Sequence, residues 1–111
     1  MICEAGDVAV APFPFSNIPV SKVRPAVVIS PAAANEREGE TLLAMITTAA
    51  GGPRPGDTPL LDLEDAGLKS RCVVRLKLFT LDNRLISRRV GRLSGQDRTR
   101  IAELIRGFIA I

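Results

Sequence analysis

A mainly β fold is predicted: a small barrel of about five to seven short antiparallel strands, finished by one C-terminal α-helix at about residues 94–108. Three features point to it. Apolar, β-branched runs such as Val27-Val28-Ile29 are too short for helices and are separated by proline- and glycine-rich breaks. Residues 71–80 alternate, with Cys72, Val74, Leu76 and Leu78 on one face and Arg71, Val73, Arg75 and Lys77 on the other. Only the end of the chain carries a helical stripe, Ile101, Leu104, Ile105 and Phe108. At 111 residues the chain is expected to be one domain, 1–111, large enough for one core without disulfides or metal.

In chain order, Gly6 to Ala11 reads as a first strand with Val8 and Val10 on one face. It gives way to Pro12-Phe13-Pro14-Phe15, which lacks ladder donors, so Pro14 to Ser21 is expected as a loop. That loop carries the hydrogen-bonding side chains Ser16, Asn17 and Ser21. Lys22 and Arg24 then lead into the second strand, where Pro25 holds Arg24 in extended geometry and restrains its backbone at the strand entrance, a place suited to binding an anion. Pro31 ends this strand, and Asn35 to Glu40 is expected as a charged hairpin connection containing Gly39. Thr41 to Thr48 is apolar on both faces until it emerges as Thr47 and Thr48, a buried strand with a polar exit.

Ala49 to Asp57, with Gly51-Gly52-Pro53-Arg54-Pro55-Gly56, is too long for a tight turn and is expected to be poorly ordered. Asp57 to Leu63 predicts a short strand, and Leu63 to Ala66 a single helical turn stopped by Gly67. Leu85 to Leu93 predicts the last strand; Ser94 caps the terminal helix, which has Asp97 in its first turn and Arg98, Arg100, Glu103 and Arg106 toward water.

The net charge of +3 hides an uneven distribution. From Lys69 to Arg100 ten cations face two acids, whereas from Glu36 to Asp65 seven acids face two arginines. A basic half of this kind suits a polyanion. There is no His, Tyr or Trp, which removes imidazole chemistry and leaves four Phe for base stacking. Cys3 and Cys72 form neither a framework nor a CxxC pair, which predicts buried thiols in a reducing compartment, the cytoplasm. No basic, then apolar, leader opens the chain and no apolar run approaches membrane length, so neither export nor a membrane anchor is expected.

No cofactor or metal is predicted: the cysteines are isolated, the acids lack ligand spacing, and the glycine-rich segment lacks the Lys-Ser/Thr of a phosphate loop. What remains is an arginine and hydroxyl set, Arg24 entering one strand, Thr47 and Thr48 leaving another, and Arg75 on an outward face. Guanidinium and hydroxyl donors stabilise a phosphodiester as it gains charge on the way to a pentacoordinate state. Arg71, Arg75 and Lys77 would add counterion-displacing contacts to phosphates.

Gly6-Asp7-Val8, Pro12-Phe13-Pro14-Phe15, Arg24-Pro25-Ala26-Val27-Val28-Ile29, Ile46-Thr47, Val73-Val74-Arg75 and Phe79-Thr80-Leu81-Asp82 occur in an order and spacing that resembles the MazF/PemK toxins, with Gly91-Arg92-Leu93-Ser94 ahead of the last helix. The resemblance implies an SH3-like barrel, a homodimer, and a metal-independent endoribonuclease cutting single-stranded RNA at short sequences. It implies attack by the 2′-OH, leaving a 2′,3′-cyclic phosphate and a 5′-hydroxyl, and inhibition by a cognate antitoxin whose acidic, flexible tail covers the RNA groove.

The family's strand-entrance arginine falls on Arg24, its catalytic threonine on Thr47, and the arginine of the Val-Val-Arg segment on Arg75. Lys22, Thr48, Arg71, Lys77, Ser16, Asn17 and Ser21 complete the expected RNA-binding set. Two positions depart from the pattern. The loop before Arg24 has neither the histidine nor the glutamine of some relatives, and Lys77 stands where some carry an aspartate. On strand alternation Lys77 shares the face of Arg75, as a phosphate contact or, with its pKa depressed by neighbouring charge, as the missing base. The alternative to an active nuclease is a catalytically degenerate barrel that binds RNA or protein, as the gyrase-poisoning CcdB relatives do.

Overall fold

A computed structural model of the chain describes residues 1–13 and 22–111. The expected loop contacts Ser16, Asn17 and Ser21 lie outside the described residues. Among these residues six strands, β1 (Asp7–Pro12), β2 (Val23–Val28), β3 (Glu40–Thr47), β4 (Thr58–Pro59), β5 (Val73–Asp82) and β6 (Arg88–Arg92), form one antiparallel sheet in the order β4-β5-β3-β2-β1-β6. The sheet curls into a half-barrel, with helices α1 (Ala32–Glu38), α2 (Leu63–Ala66) and α3 (Gly95–Phe108) set between and after the strands.

Strands β1, β2, β3 and β5 contribute core residues from both faces, because two apolar layers sandwich the sheet. One layer gathers Ala9, Phe13, Val28, Leu43, Phe79 and Leu81, with the Phe13 and Phe79 rings edge to face at 5.3 Å. The other gathers Val8, Val27, Ile46, Val74, Ala66 and Ile101. A run such as Leu42 to Ile46 is therefore apolar at successive positions, the pattern of a doubly covered strand. Cys3 and Cys72 are buried and unbridged, as expected.

The segment read as a hairpin connection is a helix. Ala32-Ala33-Ala34 has the highest helix propensity available, Pro31 precedes it, and Gly39 closes it in the left-handed conformation (φ 73°). Asn35, which reads as a turn residue in sequence, is instead buried: its amide donates to the Cys3 and Ser30 carbonyls. Asn83 joins the same polar cluster, donating to the Asn35 carbonyl and accepting from Thr41. Asn83 opens a short 3-10 turn, Asn83–Leu85, so β6 starts only at Arg88 rather than at Leu85. Strand β4 likewise shrinks to two residues, and α2 ends at Gly67 as expected.

The alternation expected over residues 71–80 fails in the middle. Met45 pairs with Arg75 but Ala44 with Leu78, so Leu76 and Lys77 bulge out of the β3–β5 ladder. Leu76 is only half-buried and rests against Gly56 instead of joining the core. Beyond the bulge, Phe79 and Leu81 fill the first apolar layer, so the odd-numbered face is basic only in its first half.

Helix α3 matches its predicted span and its Ser94 cap, whose hydroxyl accepts from the Asp97 N–H. Ile101 is buried and Leu104 and Ile105 are partly so, whereas Phe108, expected in the core stripe, is exposed because the helix has run past the sheet by its last turn. Asp97 is fully buried. It accepts from the Leu61 and Asp62 N–H groups at 2.9–3.1 Å and from Arg100 at 3.1 Å, fastening the β4–α2 connection to the helix. The α2 turn in turn lies directly on β6: a Cβ at Gly67 would sit 2.0 Å from the Val90 carbonyl oxygen, and one at Gly91 would sit 2.4 Å from the Ala66 carbonyl carbon.

Replacing Asp97 by Asn turns one buried acceptor into a donor facing backbone N–H groups, and Asp97→Asn is expected to lose about 2–3 kcal/mol of stability. Arg100→Met, which removes only the partly exposed partner, should cost about 1 kcal/mol or less. Urea titrations of both variants check this; equal losses would show that Asp97 acts through Arg100 rather than through the backbone.

Candidate functional site

The site forms where β2 and β3 reach the same end of the sheet. Their antiparallel register pairs Ala26 with Met45, and two residues beyond that last pair Arg24 and Thr47 both line the clefts at the sheet end. Arg24 is itself held on its other side by pairing with Ala11 of β1. The proline that fixes its backbone thus also sits in a paired segment, and the exposed guanidinium stands on a rigid base.

Two clefts open on either side of this rim. One, of 310 Å³, lies on the face of Met45 and is lined by Arg24, Met45, Thr47, Thr48, Arg54 and Arg75. The other, of 220 Å³, lies on the face of Ile46 and Cys72 and is lined also by Arg24, Thr47, Thr48, Lys69 and Ser70. Arg24, Thr47 and Thr48 belong to both, so the predicted arginine and threonines come together as the ridge between them.

The Thr47 hydroxyl is oriented from the backbone. Ala49 adopts a left-handed conformation (φ 57°), unusual for a residue with a Cβ, and its N–H donates to Thr47 Oγ1 at 3.2 Å. The strain costs about 1–2 kcal/mol. It is held in place by Gly52, whose N–H donates to the Ala49 carbonyl at 2.8 Å. With one lone pair engaged, the hydroxyl hydrogen of Thr47 remains to donate toward the cleft.

Arg75 lines the first cleft, but its guanidinium is occupied. Nε and a terminal nitrogen donate to the two oxygens of Asp57 at 3.0 and 2.8 Å, a fork that leaves the Arg75 side chain 11% and that of Asp57 3% exposed. The Arg75 hydrogen bonds hold the Asp57 carboxyl below its usual range against the opposing effect of burial, and the Arg54 N–H adds to the shift. The same pair raises the Arg75 pKa. Through Asp57 the Ala49–Asp57 linker, expected to be poorly ordered, is folded back on β5, with Asp57 also accepting from Arg54 N at 2.8 Å.

Lys22, Arg71 and Lys77 do not line either cleft. Lys22 and Arg71 are exposed outside the strands, and Lys77 lies half-buried in the β5 bulge. Sequence reasoning missed Asp57, Arg54 and Lys69. The one available signal was Asp57 at the end of a glycine-rich segment just before a strand; with β4 only two residues long, its pairing with β5 beside Arg75 had no visible periodicity. Among the described residues no group of His, Cys, Asp and Glu is arranged to hold a metal ion, and no helix is long and apolar enough to cross a membrane.

A curled antiparallel half-barrel closed by a C-terminal helix, with an arginine and two threonines lining the clefts at the sheet end, is a MazF-like fold. Residues 4–109 match the family of PemK-like, MazF-like toxins of type II toxin-antitoxin systems, and the chain belongs to that family. No curated protein matches it. Among solved structures, the MazE-MazF complex of Deinococcus radiodurans (Form-II) is similar over 100% of this chain and 98% of that one, at 20% identity and a TM-score of 0.77. An endoribonuclease in complex with its cognate antitoxin from a mycobacterial species covers 96% of this chain and 91% of its own, at 13% identity and a TM-score of 0.72. The toxin MazF-mt6 of Mycobacterium tuberculosis covers 91% and 93%, at 20% identity and a TM-score of 0.71.

The depressed pKa of Asp57 makes its ion pair pH-dependent. The carboxyl is more acidic folded than unfolded, so the pair contributes fully above the unfolded value of about 3.9 and is lost as pH falls through the lower folded value. Asp57→Asn is expected to lose about 2–3 kcal/mol at pH 7, slightly less than a fully buried pair because Arg75 retains some solvent contact. Urea titrations from pH 7 to below pH 4 check this: the gap between wild type and Asp57→Asn should close only in acid, and a constant gap would remove the ion pair as its cause.

Proposed function

We propose that the chain is the toxin of a type II toxin-antitoxin pair and acts as a metal-independent, sequence-selective endoribonuclease on single-stranded RNA. The observation that carries this reading is that Arg24, Thr47 and Thr48 together line both clefts at the sheet end. A phosphodiester laid on that rim meets a guanidinium able to grip two of its oxygens and an oriented hydroxyl donor. In the reaction the 2′-OH attacks the adjacent phosphorus, the bond from phosphorus to O5′ breaks, and the charge that accumulates on the non-bridging oxygens is stabilised by Arg24 and Thr47. The products are a 2′,3′-cyclic phosphate and a 5′-hydroxyl, the 2′ proton leaving and a proton reaching O5′. Arg75 bounds the same cleft and shapes it through Asp57. The protein works as a cytoplasmic homodimer and is held inactive by a cognate antitoxin with an acidic, flexible tail, a partnership supported by the similarity to MazE-MazF complexes.

The engagement of Arg75 by Asp57 favours a second reading, a degenerate barrel that binds RNA or the antitoxin without cutting. One experiment separates the two. Wild type is expected to cut single-stranded RNA at an undiminished rate in excess EDTA, and a 2′-deoxy substitution at the cut should stop it. Arg24→Ala should lower the rate by about 10²-fold or more with the fold intact. Arg24→Lys should be nearly as damaging, since an ammonium does not reproduce a planar fork. Uncut RNA that is still bound by wild type would establish the second reading, and cutting by Arg24→Ala at the wild-type rate would remove Arg24 from the site.

A further inference from the structure

Each of the two clefts carries one exposed cation beyond the shared ridge, Arg54 on the Met45 face and Lys69 on the Ile46 face. The ridge lies at the end of the sheet, so a strand seated on it must cross from one face to the other. We propose that Arg54 and Lys69 form a two-sided phosphate clamp, each neutralising a phosphate flanking the one on Arg24 and Thr47, and that the Asp57–Arg75 pair positions Arg54 for this. The inference rests on the reading of the site as an RNA surface and extends it to the path of the chain across the fold.

The positioning follows from the contacts of Asp57. Its carboxylate is anchored by the Arg75 fork and accepts from the Arg54 backbone N–H, so the residue bearing the outer cation hangs directly from the ion pair. Asp57 N–H donates back to the Arg54 carbonyl at 3.0 Å, which closes the segment on itself. The proline on either side of Arg54 limits its backbone further. A charge fully neutralised by Asp57 adds little to the attraction of a polyanion. The unpaired work of holding phosphate on this face therefore falls to Arg54, while Arg75 sets where Arg54 stands. Among the described residues no acid lines either cleft, so both present a positive side to a single strand.

The occupant is single-stranded nucleic acid and not a duplex, because the path bends around a sheet end from one cleft to another, which a stiff double helix does not follow.

The test uses the whole chain and a 2′-O-methyl RNA of about 12 nucleotides and mixed sequence, which binds without offering a 2′-OH for attack. Binding is titrated against salt. Arg54→Ala and Lys69→Ala are each expected to weaken binding and flatten the slope of log K on log salt by about 0.7, and the double variant by about twice that, as for two independent phosphate contacts on a single strand. Arg54→Lys should restore the wild-type slope. Arg75→Met should flatten the slope like Arg54→Ala and add nothing in the Arg54→Ala background; the more conservative Arg75→Lys serves if Arg75→Met fails to fold. Arg37→Ala, an exposed cation away from both clefts, should leave the slope unchanged. Wild-type slopes in both single variants would overturn the clamp, and an additive effect of Arg75→Met on Arg54→Ala would overturn the positioning role. Cleavage of ordinary RNA with unaffected slopes would remove the clamp alone. Binding with the expected slopes but no cleavage would remove the nuclease reading alone.

Discussion

The constraint on which the architecture turns is that β3 is hydrogen-bonded along both edges and covered on both faces. A slip of one residue would exchange Leu43 and Met45 with Ala44 and Ile46 between two apolar layers of different shape, and would break the ladders to β2 and β5 together. The register is thereby over-determined at the centre of the fold. Thr47 inherits that precision, because it is the next residue along on a strand with no freedom to slide. The strand that carries Thr47 to the rim is thus fixed by core packing, and only the orientation of its hydroxyl is left to the turn at Ala49.

The opposite wall is built by a different means. The linker from Ala49 to Asp57 has no apolar residue larger than alanine or proline to bury, so hydrophobic packing does not place it. A single charge-assisted fork, Asp57 to Arg75, takes that part, at the point where β5 departs from regular pairing. The bulge and the ion pair belong together: Leu76 leaves the ladder and meets Gly56, and the linker packs on the strand on both sides of Asp57. A wall held by polar contacts yields at lower cost than one held by core packing.

The fold class, the two-faced burial of β3 and the span of α3 were legible because each rests on local periodicity, whereas Arg24 and Thr47 were picked out by residue type and by the family resemblance. What was not legible depends on contacts between distant segments. Ala32 to Ala34 is helical by propensity, but Asn35, Glu36 and Gly39 carry turn chemistry that hides it; only the burial of Asn35 against Cys3 and Ser30 resolves the conflict. The bulge likewise leaves no trace in the alternation of residues 71–80: Val74 and Leu78 lie in the same apolar layer on either side of it, while Leu76 and Lys77 between them leave the β3 ladder. Asp57 and Arg75, eighteen residues apart, show no pattern that would join them.

Proton transfer is the remaining chemical question for the proposed reaction, and the Asp57 pair constrains it. Asp57 is the carboxylate bound to Arg75, yet its folded pKa is depressed and both oxygens are occupied by Arg75, which makes it a poor acceptor. No histidine exists in the chain, and Cys72, which lines the second cleft, has its thiol pKa raised by burial and then by the charge of Asp97, away from the thiolate. The groups that do converge, Arg24 and the Thr47 hydroxyl, are donors. A site composed of donors accelerates phosphoryl transfer chiefly by stabilising the charge that develops on the non-bridging oxygens, and in the proposed reaction the 2′ proton would pass to solvent. Electrostatic stabilisation alone gives a slower enzyme than one with a matched base, by about the 10²–10⁴-fold that general base catalysis contributes. In the proposed reaction, a single strand gripped on both sides of the reacting phosphate would offset part of that loss through orientation, which would tie the outer cations to rate as well as to affinity.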